Sequence, residues 1–599
     1  MTQEPRLDGM GALPYDGGVA FRVWAPHASQ VSVFGSFNEW KNDANPLEPE
    51  QDGYWYAAVD GAKVGDEYKY HLVNSQDPNN VIELDKVDPY AHKVTNSVGN
   101  SIIYNHDDFD WQGDSFACPP HNELVIYELH VGSFNTPADQ VGNFDSVLAK
   151  MDHFKKLGVT AVQLMPVMEF AGDRSWGYNP AHIFAVESAY GGPDGLKTLV
   201  REFHKNGIAV IIDVVYNHFG PSDLDLWQFD GWSENGKGGI YFYNDWRSQT
   251  PWGDARPDYG RPEVRRFIRD NAMMWLEKYH ADGLRWDMTA YIRSKDAFTN
   301  DLPDGFDLMG AVNREVRDKF PGKIMIAEDM HGHDDMVGEG WAQAAFHAQW
   351  DAEFVHPMRR FIRAYNDADR NLGEVSEAIA HNYDGEAFRR VIFTESHDEV
   401  ANGKQRAVSD VNPIDQQGWY ATKRATLGTM VALTAPGIPM VFQGQEFLQG
   451  GYFTDEVPLD WNLNEDYQGI VQLHADLMQL RRNWQDDTEG LRGPGLNIFH
   501  TNDDFKVMAW HRWREHGTND DVVVVINGSD QVRGNYRIGL PAGGRWELKF
   551  NSDSTVYSPH FGSAEAYDIT AEEQDQDGFE YSGNVTLAPY SMLVYSWKS

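Results

Sequence analysis

The stretch GPDGLKTLVREFHKNGIAVIIDVVYNH, residues 192–218, holds one complete unit of the fold. Pro193 pre-sets the backbone of a first helical turn. Leu196, Leu199, Val200 and Phe203 then recur at spacings that put them on one helical face, and Gly207 stops the helix. The run IAVII that follows lacks the polar alternation of a half-solvated strand. It reads as a strand covered on both sides. It leads into Asp213 and then His218. Burial disfavours charge, so for a single acid the simplest account is a solvated loop. That account weakens if other strands end the same way.

Outward from this unit the same grammar repeats. FDSVLAKMDHFKKLG (144–158) places Val147, Leu148, Met151 and Phe154 on one face, and a buried strand follows it. RPEVRRFIRDNAMMWLEKYHADG (261–283) leads likewise into LRWDM. Strand candidates lie at 124–131, 160–167, 208–215, 283–287, 323–328, 349–354, 390–395 and 437–443. Apolar strands alternating with amphipathic helices predict parallel strands, and eight such units predict a (β/α)8 barrel at 124–490, an α/β architecture. A stretch at 219–261, rich in Trp, Asp and Gly, reads as an insertion after the third strand. No glycine-rich phosphate-binding fingerprint occurs in the right context.

Both flanks alternate as strands do. VAFRVWAP, QVSVFGSF, GYWYAAV and EYKYHLV predict an N-terminal β-sandwich within 1–106. A polar linker is expected at 107–123. FKVMAWHRW, VVVVINGS, RWELKFN and SMLVYSW predict a C-terminal all-β domain at 491–599. With 91 acidic against 50 basic side chains and a net charge of −41, the chain repels nucleic acid and anionic membranes and suits a neutral or cationic partner. The single cysteine, Cys118, forbids an internal disulfide, and the N-terminal residues lack a basic-then-apolar leader pattern. The longest uncharged run, 425–442, is broken by Pro436, Gly437 and Pro439 and reads as a buried helix, a turn and a short strand. These features predict a soluble, cytoplasmic protein, taken as monomeric.

Barrels of this type gather their chemistry at the C-terminal ends of the strands. The third strand ends with Asp213 and His218. The fourth ends with Arg285 and Asp287, two apart and therefore on one face. The fifth ends with Glu328 and Asp329. The seventh runs into FTESHDEVANGK (393–404), with His397 and Asp398. Acids repeated along one rim are poorly explained as unrelated loops. Paired carboxylates in a cleft serve glycoside chemistry: one attacks or stabilises an oxocarbenium-like carbon, and a protonated one donates to the leaving oxygen. Arg285 would aim Asp287 and favour its anion, while burial near other acids would raise Glu328 toward the acid role.

DVVYNH (213–218), GLRWD (283–287), AED (327–329) and SHDE (396–399) resemble, in order and spacing, the four short segments of the alpha-amylase superfamily. FRVWAP (21–26) and VFGSFNEW (33–40) resemble the glycogen-binding-type module found ahead of the barrel in branching and debranching enzymes. YELHVGSF (127–134), WGYNP (176–180) and AYGGPDGLK (189–197) fit that group's first barrel units. SHDEV, GQEF (444–447) and LDW (459–461) look most like 1,4-alpha-glucan branching enzymes. The resemblance implies Asp287 as nucleophile, Glu328 as general acid/base and Asp398 as a third acid that grips sugar hydroxyls. It further implies His218 and His397 bonding to the sugar before the cleaved bond, Asp213 ordering that subsite, and Tyr178 stacking on its face. Retention through a covalent glycosyl-enzyme follows, with an alpha-glucan such as glycogen or amylose as partner. WDMTAYI (286–292) and FLQGGYFTDEVPLDW (447–461) differ from the usual branching-enzyme wording. The alternative of a hydrolase of the same superfamily, of trehalohydrolase, debranching or amylase type, therefore stays open.

HGHDD (331–335) looks like a metal cluster, but no second cluster supports it, and it reads as a polar loop. No cofactor, metal or calcium site is expected. Trp24 and Trp55 read as sandwich core and Trp40, in a turn, as an exposed glucan contact. Trp232, Trp246 and Trp252 either line a groove or anchor the insertion.

Overall fold

The computed structural model describes residues 6–137, 139–515 and 520–598. Eight parallel strands close a barrel: Ile126–Leu129, Ala161–Leu164, Ala209–Val214, Gly283–Trp286, Ile324–Ala327, Ala348–Trp350, Arg390–Ile392 and Ile438–Phe442, the last pairing back onto the first. Each lies where the apolar pattern put it. The helix Gly192–Lys205 buries Leu196, Leu199, Val200 and Phe203, and Pro262–Lys278 buries Val264, Phe267 and Ile268.

The sixth strand is shorter than expected. It ends at Trp350, because Asp351 caps the helix Ala352–Arg363 by accepting from Glu353 N at 3.0 Å. Apolar residues at 350, 352, 354 and 355 suit either a strand or a helix, and the cap decides between them. A short antiparallel hairpin, Met168–Phe170 with Pro180–Val186, rises after the second strand and was not anticipated.

Along the strands, alternate residues face the barrel axis. Ile126, Ile211 and Ile326 belong to one apolar cluster with Ala161, Ala209, Val391 and Met440. Two residues further on, the same strands place Glu128, Asp213 and Glu328, all buried. The barrel is thus a packed hydrocarbon plug with a polar top.

The N-terminal module has two sheets. One contains Gly11–Tyr15, Gly18–Trp24, Tyr54–Asp60 and Glu48–Pro49. The other contains Gln30–Gly35, Glu67–Asn74, Ile82–Lys86 and Ser101–Ile102. The segment after it is not a free spacer. Trp111 stacks on His280 at 3.7 Å, and Asp114 Oδ2 lies 2.9 Å from His204 Nδ1 and 2.8 Å from His280 Nδ1, strapping the segment across the barrel floor.

The insertion after the third strand ties the module to the barrel. Asp230 accepts from His27 N at 2.9 Å, Trp232 stacks on His27 at 4.5 Å, and Asp225 accepts from Val87 N at 2.7 Å. A six-stranded sheet and a two-stranded one form the C-terminal domain. The 425–442 run forms the end of helix Trp419–Thr434 and the eighth strand. Among the described residues, no helix is long and apolar enough to cross a membrane.

Candidate active site

Arg285 is the centre of the polar top. It is fully buried, with the Trp350 ring 4.4 Å from its guanidinium carbon. Its Nη1 donates to both oxygens of Asp213 (2.9 and 2.8 Å) and to Oδ1 of Asp287 (3.0 Å). Its Nη2 lies 2.8 Å from Glu328 Oε2. Register explains the convergence: Asp213 pairs with Arg285 across the third and fourth strands, and Arg285 with Ile326 across the next pair. One cation therefore meets acids from three successive strands.

Burial pushes the Glu328 carboxyl up to about 8; the Arg285 charge opposes this, and the charges of Asp287 and Asp398 add to it. Met288 N donates to Glu328 Oε2 at 2.8 Å, aiming the group. Asp213 is also raised by burial against the pull of Arg285.

Tyr178 donates its hydroxyl to Asp213 Oδ2 at 2.7 Å, and its ring stacks on His397 at 5.1 Å. His397 N donates to Glu128 Oε2 at 2.9 Å, and its Nδ1 lies 2.8 Å from Glu128 Oε1. Burial works against a charged His397 ring, but the Glu128 carboxylate overcomes it and the net shift is upward. For His218 burial wins, and its pKa is lowered. Its Nε2 lies 2.8 Å from Tyr178 O, its Nδ1 meets Asn217 Oδ1, and Trp252 stacks on the ring at 4.6 Å. Asn217 Nδ2 in turn donates to Asp287 Oδ2 at 2.7 Å.

Seven of the eight residues singled out from sequence are thus joined by direct contacts or through Asn217. Asp398 stands apart, half-buried, accepting from Asn402 Nδ2 at 3.0 Å, and reaches Glu328 through its charge.

Three contributors were missed, and a fourth, Trp252, was left between two roles. Glu128 ends the first strand as Asp213 ends the third, so the same rule would have found it. Asn217 sits inside the quoted DVVYNH. Trp350 lies in an apolar strand with no outward sign. Trp252 was named, but nothing local tied it to His218. Of the other tryptophans, Trp232 anchors the insertion, with Arg261 5.3 Å above its ring, Trp24 is buried, and Trp40 is exposed. Among the described residues, no group of three or more His, Cys, Asp or Glu could hold a metal ion.

Comparison with known proteins adds three matches by family: carbohydrate-binding module 48 (isoamylase N-terminal domain) over residues 9–91, the alpha amylase catalytic domain over 129–251 and 226–487, and the alpha amylase C-terminal all-beta domain over 499–598. A 1,4-alpha-glucan branching enzyme GlgB from Salinibacter ruber is 30% identical, over 99% of this chain and 97% of its own length. One from Aquifex aeolicus is 30% identical over 96% of this chain and 92% of its own. In fold, the pullulanase from Bacillus acidopullulyticus superposes with a TM-score of 0.76 at 20% identity, over 100% of this chain and 76% of that one.

Proposed function

Because the chain belongs to the 1,4-alpha-glucan branching enzymes of the alpha-amylase family, we propose that it cleaves an alpha-1,4 linkage with retention and transfers the freed chain to a glucan 6-hydroxyl. The observation that carries the chemistry is the convergence of Asp213, Asp287 and Glu328 on one buried guanidinium. In this reading Asp287 attacks the anomeric carbon. The bond from that carbon to O4 breaks, its electron pair stays on O4, and Glu328 supplies the proton. The product is a glycosyl ester on Asp287. An acceptor 6-hydroxyl then attacks the same carbon and gives its proton to Glu328, and the carboxylate leaves.

Arg285 and Asn217 hold the nucleophile in line without sharing in the bonds that change. Tyr178, His218, His397, Asp213 and Asp398 are assigned to the donor sugar, with Glu128 positioning His397. We extend the proposal to a monomeric cytoplasmic enzyme acting on glycogen- or amylose-like glucan without a metal.

The deciding experiment is product analysis on amylose. Proton NMR is expected to show new alpha-1,6 linkages with few surviving reducing ends. Reducing ends without 1,6 linkages would mean that water intercepts the ester and would overturn the transferase reading.

A second expectation concerns pH. Glu328, raised to about 8, keeps its proton through neutral pH and loses it above. The rate at low donor concentration should be level just below that value and fall about tenfold per pH unit beyond it. In Glu328→Gln, assayed with a maltosyl fluoride whose leaving group needs no proton, that limb should vanish. An alkaline limb that survives in this variant would refute the assignment.

A further inference from the structure

The fourth and fifth barrel strands do not keep step to their ends. Trp286 pairs with Ala327, and Glu328 N donates to Trp286 O at 3.0 Å. In a regular parallel ladder the next bond would run from Met288 N to Glu328 O. Here Thr289 N makes it instead, at 2.9 Å, and Met288 N turns to the Glu328 carboxylate, reaching Oε2 at 2.8 Å. One residue has been slipped into the ladder. The slip places Met288 at φ 40°, in the left-handed region that a residue with a Cβ enters at a cost. Strain of this kind persists where the surroundings enforce it, and the contact it produces is with the proton donor.

The next residue is also diverted. Thr289 is fully buried and stands just ahead of the helix Ala290–Arg293. A threonine there ordinarily accepts a bond from the first turn of its own helix. Asn143, Asp351 and Asn371 cap their helices in that way in this chain. Thr289 does not. Its Oγ1 donates at 2.8 Å to Glu328 O, the carbonyl that its own N–H already serves. Glu328 is therefore gripped by two consecutive residues, twice at its carbonyl by Thr289 and once at its carboxylate by Met288.

Other bonds anchor the rest of this turn. Arg293 donates to Asp329 at 2.6 and 3.1 Å. From the insertion, the buried Arg256 donates to the carbonyls of Tyr291, of Ser294 (3.3 Å) and of Lys295 (2.8 Å). The turn is thus held without the Thr289 hydroxyl. What that hydroxyl adds is a bond to the one residue that gives up and takes back a proton.

We propose that Thr289 is a positioning residue for the acid/base, its hydroxyl fixing the Glu328 backbone so that the carboxyl stays aimed at the leaving oxygen. The proposal rests on the assignment of Glu328 as acid/base. Being fully buried, Thr289 does not touch the sugar, and it takes no part in the bonds that change. Its effect is on alignment, to which the rate of a proton transfer between fixed groups is sensitive.

The full chain carries the test in three variants. Thr289→Val keeps the volume and loses the hydroxyl, Thr289→Ala loses it without overpacking, and Thr289→Ser keeps it. Valine and alanine should each lower kcat on amylose about five- to tenfold at unchanged KM, the scale of one bond and a small misalignment. Serine should stay within about twofold of the parent. The separating measurement is single-turnover release of fluoride from a maltosyl fluoride, which needs Asp287 but no proton from Glu328. Fluoride release should run at the parent rate in all three variants. Thr289 lies close after Asp287 in the chain, so a merely structural fault would slow fluoride release along with amylose cleavage. Equal slowing on both substrates would therefore overturn the proposal. So would valine and alanine variants that match the parent on amylose, or a serine variant as slow as they are. The wider reading fails separately: an alkaline limb that survives in Glu328→Gln brings down the acid/base assignment and this proposal with it. If that limb vanishes while Thr289→Val matches the parent, only the role of Thr289 falls.

Discussion

The Asp287→Asn variant is expected to fold, to bind alpha-glucan and to turn over at least about 10,000-fold more slowly than the parent. The side chain keeps its volume, so the barrel top stays packed. What disappears is the group able to form the ester. The geometry also sets a cost to the fold. Both carboxylate oxygens of Asp287 accept bonds, Oδ1 from Arg285 at 3.0 Å and Oδ2 from Asn217 at 2.7 Å. An amide offers one oxygen and one NH2, so one of these donors is left facing another donor. A loss of about 1–3 kcal/mol in stability should accompany the loss of activity. Kinetics on amylose beside a denaturation curve would read both, and turnover within about tenfold of the parent would remove Asp287 from the mechanism.

Arg285→Met should show the second large effect, this time on the fold. The guanidinium is fully buried and touches Asp213, Asp287 and Glu328. Methionine fills much of the space and keeps contact with Trp350, but it leaves three acids facing one another without a cation. Removing one partner from a buried ionic cluster costs about 3–5 kcal/mol. The sign of the pH dependence follows. In the native protein Arg285 pulls Asp213 and Glu328 downward against burial. Without it, both must rise further, so the folded variant holds protons that the unfolded chain releases above the ordinary carboxylate range. Stability then falls as pH increases across that interval. Denaturation of parent and variant at pH 5 and pH 8 should show a deficit that widens at pH 8. A deficit that is absent, or equal at both values, would mean the acids are stabilised by something other than Arg285.

Much of this site was legible because barrel strands expose their chemistry in a fixed phase. Residues two apart on a strand share a face, so an inward apolar residue predicts which later residue also points inward. Ile211 and Asp213, and Ile326 and Glu328, obey this, and the acid is the step at which the hydrocarbon layer ends. Glu128 follows the same phase after Ile126 on the first strand. The hairpin that carries Tyr178 was less accessible. Its first strand, Met168–Phe170, is three residues long, too short for any period to show.

The sequence by itself determined the order and kind of the elements, because burial on two faces, on one helical stripe or on alternate residues leaves a pattern in which neighbours along the chain carry the information. It determined, too, which strand ends carry acids. Only the tertiary structure decided what those acids do to one another. That Arg285 meets three of them, that Trp350 lies against its guanidinium, and that Asn217 couples His218 to Asp287 are facts of register between strands, distant along the chain in most cases. Tertiary structure likewise decided that Trp232 docks a module while Trp252 covers a site histidine, although the two sit in one loop of similar composition. Pairwise geometry across a closed barrel depends on where the sheet meets itself, and no local spacing records that.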